Sequence, residues 1–129
     1  MKACATVELA TVDSNGYPDV RTILNAANTE AENLNLHFLT MVDSPKMAQI
    51  AADPRACLYF YDPATHKSVR LYGDMSVDRD TADRIKYWRD EWLHSGWRWD
   101  DPNLVVLVFA SKSYKFYVGN DREMGNLGE

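Results

Sequence analysis

The sequence predicts a mainly β fold, an antiparallel barrel with flanking helices, and three observations carry that prediction. About seven stretches have strand periodicity or a continuous β-rich apolar run. Most are joined by short, hairpin-like links. The two helical stretches do not alternate regularly with the strands, as a doubly wound parallel sheet would require.

In chain order, Ala5 to Val12 alternates, and Asp13-Ser14-Asn15-Gly16 ends it in a turn, because Asn-Gly suits the positive backbone angles of a tight hairpin. Tyr17 to Asn25 returns as a second strand with Val20, Thr22 and Leu24 on one face and Asp19, Arg21 and Ile23 on the other. Ala26 to Asn33 is a polar connection. Leu34 to Arg55 then encodes a strand, a turn and a short helix. Leu34, Leu36, Phe38 and Thr40 alternate with Asn35, His37 and Leu39. Asp43-Ser44-Pro45 supplies a capping side chain followed by proline at the first helical position. Met47, Ile50 and Ala51 share a helix face, and Asp53-Pro54 stops the helix because a residue before proline avoids helical geometry.

Ala56 to Tyr61 is a near-continuous apolar strand, Asp62 to Lys67 a loop, and Ser68 to Val77 a longer strand. In the last, Val69, Leu71 and Gly73 alternate with Arg70, Tyr72 and Asp74, and Gly73 marks a bulge or a tight bend. A helix is expected from Asp78 or Asp80 to about His94, with Ile85, Trp88 and Trp92 as its apolar stripe and Gly96 as its stop. Trp97 to Asn103 is an aromatic and acidic loop. Leu104 to Ala110 and Tyr114 to Val118 are expected to be a final pair of strands around Ser111-Lys112-Ser113, with a frayed tail from Gly119. No repeat, low-complexity run or second domain interrupts residues 1–129, so one domain is expected.

The chain is 46% hydrophobic and 12% aromatic, enough for a packed core. Its net charge of -5 and pI of about 5.1 argue against a general nucleic-acid or acidic-membrane binder. Cys4 and Cys57 lack CxxC spacing, and without a secretory leader a cytoplasmic setting is expected. The longest apolar run, Leu104 to Ala110, is too short to cross a bilayer as a helix.

The sequence has no Walker loop, GxGxxG, GxSxG or HExxH, and His37, His66 and His94 are scattered without metal-ligand spacing. Asp100-Asp101 is more simply a solvated pair than an acid and base, and Cys57 a core residue. What remains is an anion constellation. Lys46 sits in the first turn of a helix whose amides are unpaired and whose dipole is positive, with the hydroxyls of Thr40 and Ser44 nearby. Arg21 projects from a strand in an apolar neighbourhood and needs an anionic or carbonyl partner. Singly, Lys46 is a solvated lysine and Ser44 an N-cap; together they suit a phosphate. Trp97 and Trp99 either pack on the barrel or stack on a flat ligand ring.

Leu9 to Asp13 with Gly16-Tyr17-Pro18 and Val20-Arg21-Thr22 resembles the opening of the pyridoxamine-phosphate-oxidase-like, FMN-binding split barrels. Phe38-Leu39-Thr40 with Ser44-Pro45-Lys46 resembles their phosphate-binding segment. Asp53 to Ala56 leading to Leu58-Tyr59-Phe60-Tyr61 is similar to the next strand, and Val69-Arg70-Leu71-Tyr72-Gly73 to the one after. Asp101 to Leu107 with Tyr114-Lys115-Phe116-Tyr117 resembles the general stress protein 26 branch. The resemblance implies a split antiparallel β-barrel, a homodimer and two FMN molecules at its interface. It implies Arg21, Thr22 and Ile23 along the flavin and ribityl chain, and Thr40, Ser44 and Lys46 at the phosphate. Ser68 and Arg70 would add polar contacts, and Tyr117 an aromatic ring near the flavin.

Three departures argue against oxidation of pyridoxamine phosphate itself. Pro45 stands where an Arg-Lys pair often follows the serine, Asn25 replaces a lysine, and the tail lacks an Arg- and His-rich segment. Relatives also usually begin with an extra helix. The expected function is an FMN-binding oxidoreductase of unidentified substrate. The alternatives are a flavin carrier or stress-linked sensor without turnover, a haem or deazaflavin binder, and an empty scaffold with Trp97 and Trp99 in the cleft.

Overall fold

The computed structural model describes residues 1, 4–90, 93 and 96–127. Its strands are β1 (Thr6–Val12), β2 (Pro18–Leu24), β3 (Asn35–Met41), β4 (Arg55–Asp62), β5 (Lys67–Asp78), β6 (Leu104–Val118) and β7 (Asp121–Asn126). Helix α1 spans Pro45–Ala52 and α2 spans Thr81–Lys86. All pairings are antiparallel, in the order β2-β1-β4-β5-β6-β3, with β7 also on β6.

The two ends of that order, β2 and β3, form no ladder with each other among the described residues. They approach through the segment that follows β2. There Ala27 N–H donates to the His37 carbonyl at 3.0 Å, and Asn28 bonds to the backbone of both Asn35 and His37. The wall is therefore a curled sheet with a split. Alternation puts Leu9, Phe38, Leu58, Leu71 and Phe109 inside, each at most 1% exposed. Ile50 of α1 joins this cluster. Within α1, Met47 is half-buried and Ala51 is exposed, so the expected apolar face is narrower than its spacing suggested.

Three sequence expectations are corrected. The final pair of strands is one continuous strand of 15 residues, β6, and Ser111-Lys112-Ser113 lies inside it. Tyr72 pairs with Ser113 and Gly73 with Ser111, so Lys112 is the extra residue of a β-bulge. A bulge bends a strand without ending it, which lets β6 serve β3 with one half and β7 with the other. The tail is not frayed over its described residues, because β7 pairs back along β6, with Gly125 beneath the Tyr114 ring.

The second helix is also short. It has 6 residues and ends at Tyr87, whose backbone leaves helical geometry. Tyr87, Trp88 and Trp97 pack outside the barrel on Leu39, Leu104 and Val106. Arg84 donates to the carbonyls of Asp101 and Leu104, at 2.8 and 3.1 Å. Irregular backbone held by these contacts buries the aromatic rings that a longer helix would have buried. Ile85, the first member of the expected stripe, is 51% exposed, while Trp92 and His94 lie outside the described residues.

Of the two proposed starts, Asp80 is the N-cap, and its carboxylate accepts from Ala82 N–H at 2.9 Å. Asp80→Ala should cost about 1 kcal/mol, read as a lowered melting temperature. No helix among the described residues is long and apolar enough to cross a membrane.

Candidate anion site

Helix α1 begins where β3 ends, and Pro45 fixes its first turn. Ser44 precedes it but makes no side-chain capping bond. Its Oγ instead accepts from Lys46 Nζ at 2.9 Å. Lys46 is only 9% exposed, and among the described residues no carboxylate lies within ion-pair distance of it. Burial pushes its pKa down, and repulsion from Arg21 pushes it further, against a weaker pull from Asp43. A buried ammonium with a hydroxyl partner, beside a second cation and a helix N-terminus, is an environment built for an anion.

Arg21 reaches the same place from the inner face of β2. One terminal nitrogen donates to the Leu9 carbonyl at 3.3 Å and to Thr11 Oγ1 at 2.6 Å. The other donates to Asp19 Oδ2 and Gln49 Oε1, both at 3.0 Å. Gln49 Nε2 donates to the same Asp19 oxygen at 2.9 Å, and Thr11 Oγ1 donates to Gln49 Oε1. The hydrogen bond from Gln49 and the charge of Arg21 hold the Asp19 carboxyl below its usual range. Neither Asp19, Thr11 nor Gln49 was singled out from the sequence. Two of them carried a signal: Gln49 lies one helical turn from Lys46, and Asp19 lies two residues from Arg21 on one strand face.

The structure divides the residues expected at the site. Arg21, Ser44 and Lys46 converge at the start of α1. Thr40 is buried on the core face of β3 with Leu36 and Phe38 and makes no hydrogen bond to Ser44 or Lys46. Ile23 packs against the core. Thr22 points the other way, because neighbouring strand residues alternate faces, and it heads the outer row Thr22, Glu8, Tyr59, Arg70 and Lys115.

Ser68, Arg70 and Tyr117 lie on that outer face too. Ser68 pairs directly with Tyr117, and the Arg70 guanidinium sits 5.2 Å from the Tyr59 ring centre and 5.1 Å from that of Tyr117. With Tyr61 and His66 they line an open depression of about 480 Å³. Trp97 packs on the outer cluster near α2, and Trp99 is 47% exposed.

The remaining chemistry-bearing side chains have local partners. His37 stacks on Tyr87 with ring centres 4.2 Å apart and bonds to Asn28 through Nδ1, and burial and Lys86 lower its pKa. Burial raises the pKa of the Cys57 thiol, but Cys57 is not the core residue expected. Ala56, Leu58 and Phe60 face the core, and by strand alternation Cys57 lies half-buried on the outer face with Tyr59 and Tyr61. Among the described residues no three metal-ligating side chains cluster.

A family model described as pyridoxamine 5'-phosphate oxidase like matches residues 4–127. The pyridoxine/pyridoxamine 5'-phosphate oxidase of Pseudomonas paraeruginosa is 39% identical over 74 residues, 57% of this chain and 32% of that protein. The chain thus spans about a third of the length of the curated relatives it matches first.

Among solved structures, a Clostridium acetobutylicum protein related to general stress protein 26 superposes with a TM-score of 0.84 at 19% identity, over 97% of this chain and 87% of that one. A pyridoxamine 5'-phosphate oxidase-related, FMN-binding protein of Nostoc punctiforme gives 0.67 at 23% identity, over 97% and 87%. A haem-binding protein of Mycobacterium smegmatis gives 0.73 at 15% identity, over 97% and 54%. These likenesses show the split-barrel fold.

Proposed function

The chain belongs to the pyridoxamine 5'-phosphate oxidase-like family, and from that premise we propose that it is a flavoprotein binding FMN at the interface of a homodimer. One observation carries the cofactor: Lys46, buried at the start of α1, has a hydroxyl partner and a repelling guanidinium as its neighbours. The donor set fits a phosphate monoester. Lys46 and Ser44 supply a charged and a neutral donor, and the Lys46 backbone N–H of the first turn adds another (Pro45 has none and that of Met47 is spent on the Ser44 carbonyl). Arg21 raises the local positive potential.

In this reading the β2 backbone at Thr22 and Ile23 runs along the ribityl chain, and Thr40 braces the end of β3 from the core side. Ser68, Arg70 and Tyr117, on the opposite face, meet the cofactor held by the second protomer. Exposed Val20 and Tyr61 and the half-buried Tyr59 make that face suitable for a partner copy.

Bound FMN would supply hydride or electron transfer between a reduced nicotinamide or similar donor and an acceptor. The residues of this chain bind and orient. Lys46 keeps its proton to balance the phosphate, Arg21 stays fixed by Thr11 and Leu9, and the packed barrel keeps water from the inner side. Pyridoxamine phosphate is not the substrate proposed. Asn25, in place of a lysine, is buried and spent on the carbonyls of Met1 and Cys4. A cytoplasmic setting belongs to the same reading, since both cysteines are free thiols.

Titration of the purified protein with FMN should shift the flavin absorbance and quench its fluorescence, saturating at one flavin per protomer. A spectrum unchanged at excess flavin would rule the reading out. NADH and NADPH oxidation by the loaded protein then separates an oxidoreductase from a flavin carrier.

A further inference from the structure

We propose that Asp19 sets the specificity of the anion site: it is an internal carboxylate, held on Arg21 by Gln49, that a ligand must displace, and a phosphate monoester dianion is the class that does so. The proposal rests on the phosphate reading above and adds the selection step.

The Arg21 guanidinium has one fixed side and one exchangeable side. Its fixed nitrogen donates to the Leu9 backbone carbonyl and to Thr11, a side chain only 2% exposed. Its other nitrogen is held by Asp19 at 3.0 Å and Gln49 at 3.0 Å. The Asp19 side chain is 48% exposed and that of Arg21 only 23%, so the carboxylate can swing into water while the guanidinium stays. One oxygen, Asp19 Oδ2, accepts from both Arg21 and Gln49, so the two contacts are lost together.

A monoanion taking the place of Asp19 exchanges one carboxylate-like partner for another and gains little. A dianion that also reaches the ammonium of Lys46 replaces the one ion pair it breaks, between Asp19 and Arg21, with two, while the Gln49 amide only exchanges the carboxylate for water or the incoming anion. Asp19 thus sets a threshold of charge. It also prevents the two cations from facing each other uncompensated when no ligand is present, consistent with its lowered pKa.

Two variants test this, with affinities for FMN, inorganic phosphate and riboflavin measured by fluorescence and calorimetric titration. Asp19→Asn should tighten FMN and inorganic phosphate about tenfold, the loss of one charge-assisted contact to be broken, and leave riboflavin unchanged. Gln49→Ala changes no charge and should also tighten both, because it loosens Asp19 from Arg21. Unchanged or weaker phosphate binding in Asp19→Asn overturns the proposal. So does weaker binding in Gln49→Ala, which would make Gln49 a residue that positions Arg21 for the ligand. FMN binding by the wild type with no gain in either variant overturns the latch and leaves the flavin reading standing. A gain for inorganic phosphate with no flavin binding in any protein does the reverse.

Discussion

Lys46→Met should remove tight FMN binding and at the same time make the free protein more stable. The ammonium is the one buried charge at the start of α1 without a carboxylate partner among the described residues, so it carries the largest share of phosphate binding in the proposed site. Loss of a charge-assisted contact of this kind costs about 2–3 kcal/mol, or roughly 30- to 150-fold in affinity. Methionine fills a similar volume and leaves no unsatisfied donor. The free protein then sheds the desolvation and the repulsion from Arg21 that depress the lysine pKa, a gain of about 1 kcal/mol at neutral pH. Flavin titration and thermal melts of the same preparation check both signs.

The pH dependence follows from the same shift. In the folded chain Lys46 releases its proton at a lower pH than in the unfolded chain. Between those two values the unfolded state binds more protons, so stability rises with pH. It is full above the ordinary lysine pKa and falls as pH drops through the folded value. Flavin affinity runs the opposite way, because only the charged lysine holds the phosphate: it is complete below the folded pKa and lost as pH rises through it. Lys46→Met should flatten both profiles in the alkaline range.

Gly73→Ala should be the most damaging single methyl in the molecule. A Cβ there would lie 2.1 Å from the Ala110 carbonyl oxygen and 2.9 Å from its carbon, and neither is the tip of a side chain that could turn away. The clash falls beside the bulge at Lys112, where β6 bends and changes partners, so relief would require β5 and β6 to separate along their shared ladder. A loss of about 3–4 kcal/mol is expected, above the usual cost of about 1–3 kcal/mol for overpacking because backbone rather than side chain must move. Urea unfolding should show a lowered midpoint with little change in slope, since the surface exposed on unfolding is nearly the same.

Local chemistry made β3 and α1 legible from the chain. A period of two, a proline at the first helical position and an Asp-Pro stop each act within a few residues, and the observed bounds agree with them. The same holds for Ser44 beside Lys46. Where sequence reading failed, two structures satisfied the same pattern. Ile85, Trp88 and Trp92 suit a helix stripe, but aromatic rings are buried equally well by irregular backbone tied down through Arg84. Ser111-Lys112-Ser113 resembles a turn, yet a bulge needs one extra residue and no particular side chain.

The chain alone was enough to establish a β-rich fold, the place where α1 starts, and a lysine and a serine side by side at that point, because those features depend on neighbours in sequence. Folding decided the rest. Arg21 meets Gln49 across 28 positions, Thr22 turns away from Arg21 towards Tyr59 and Arg70, and one long strand takes the place of two. Each of these depends on which distant groups can pair their hydrogen bonds and bury their apolar surface together, and no local window of residues contains that information.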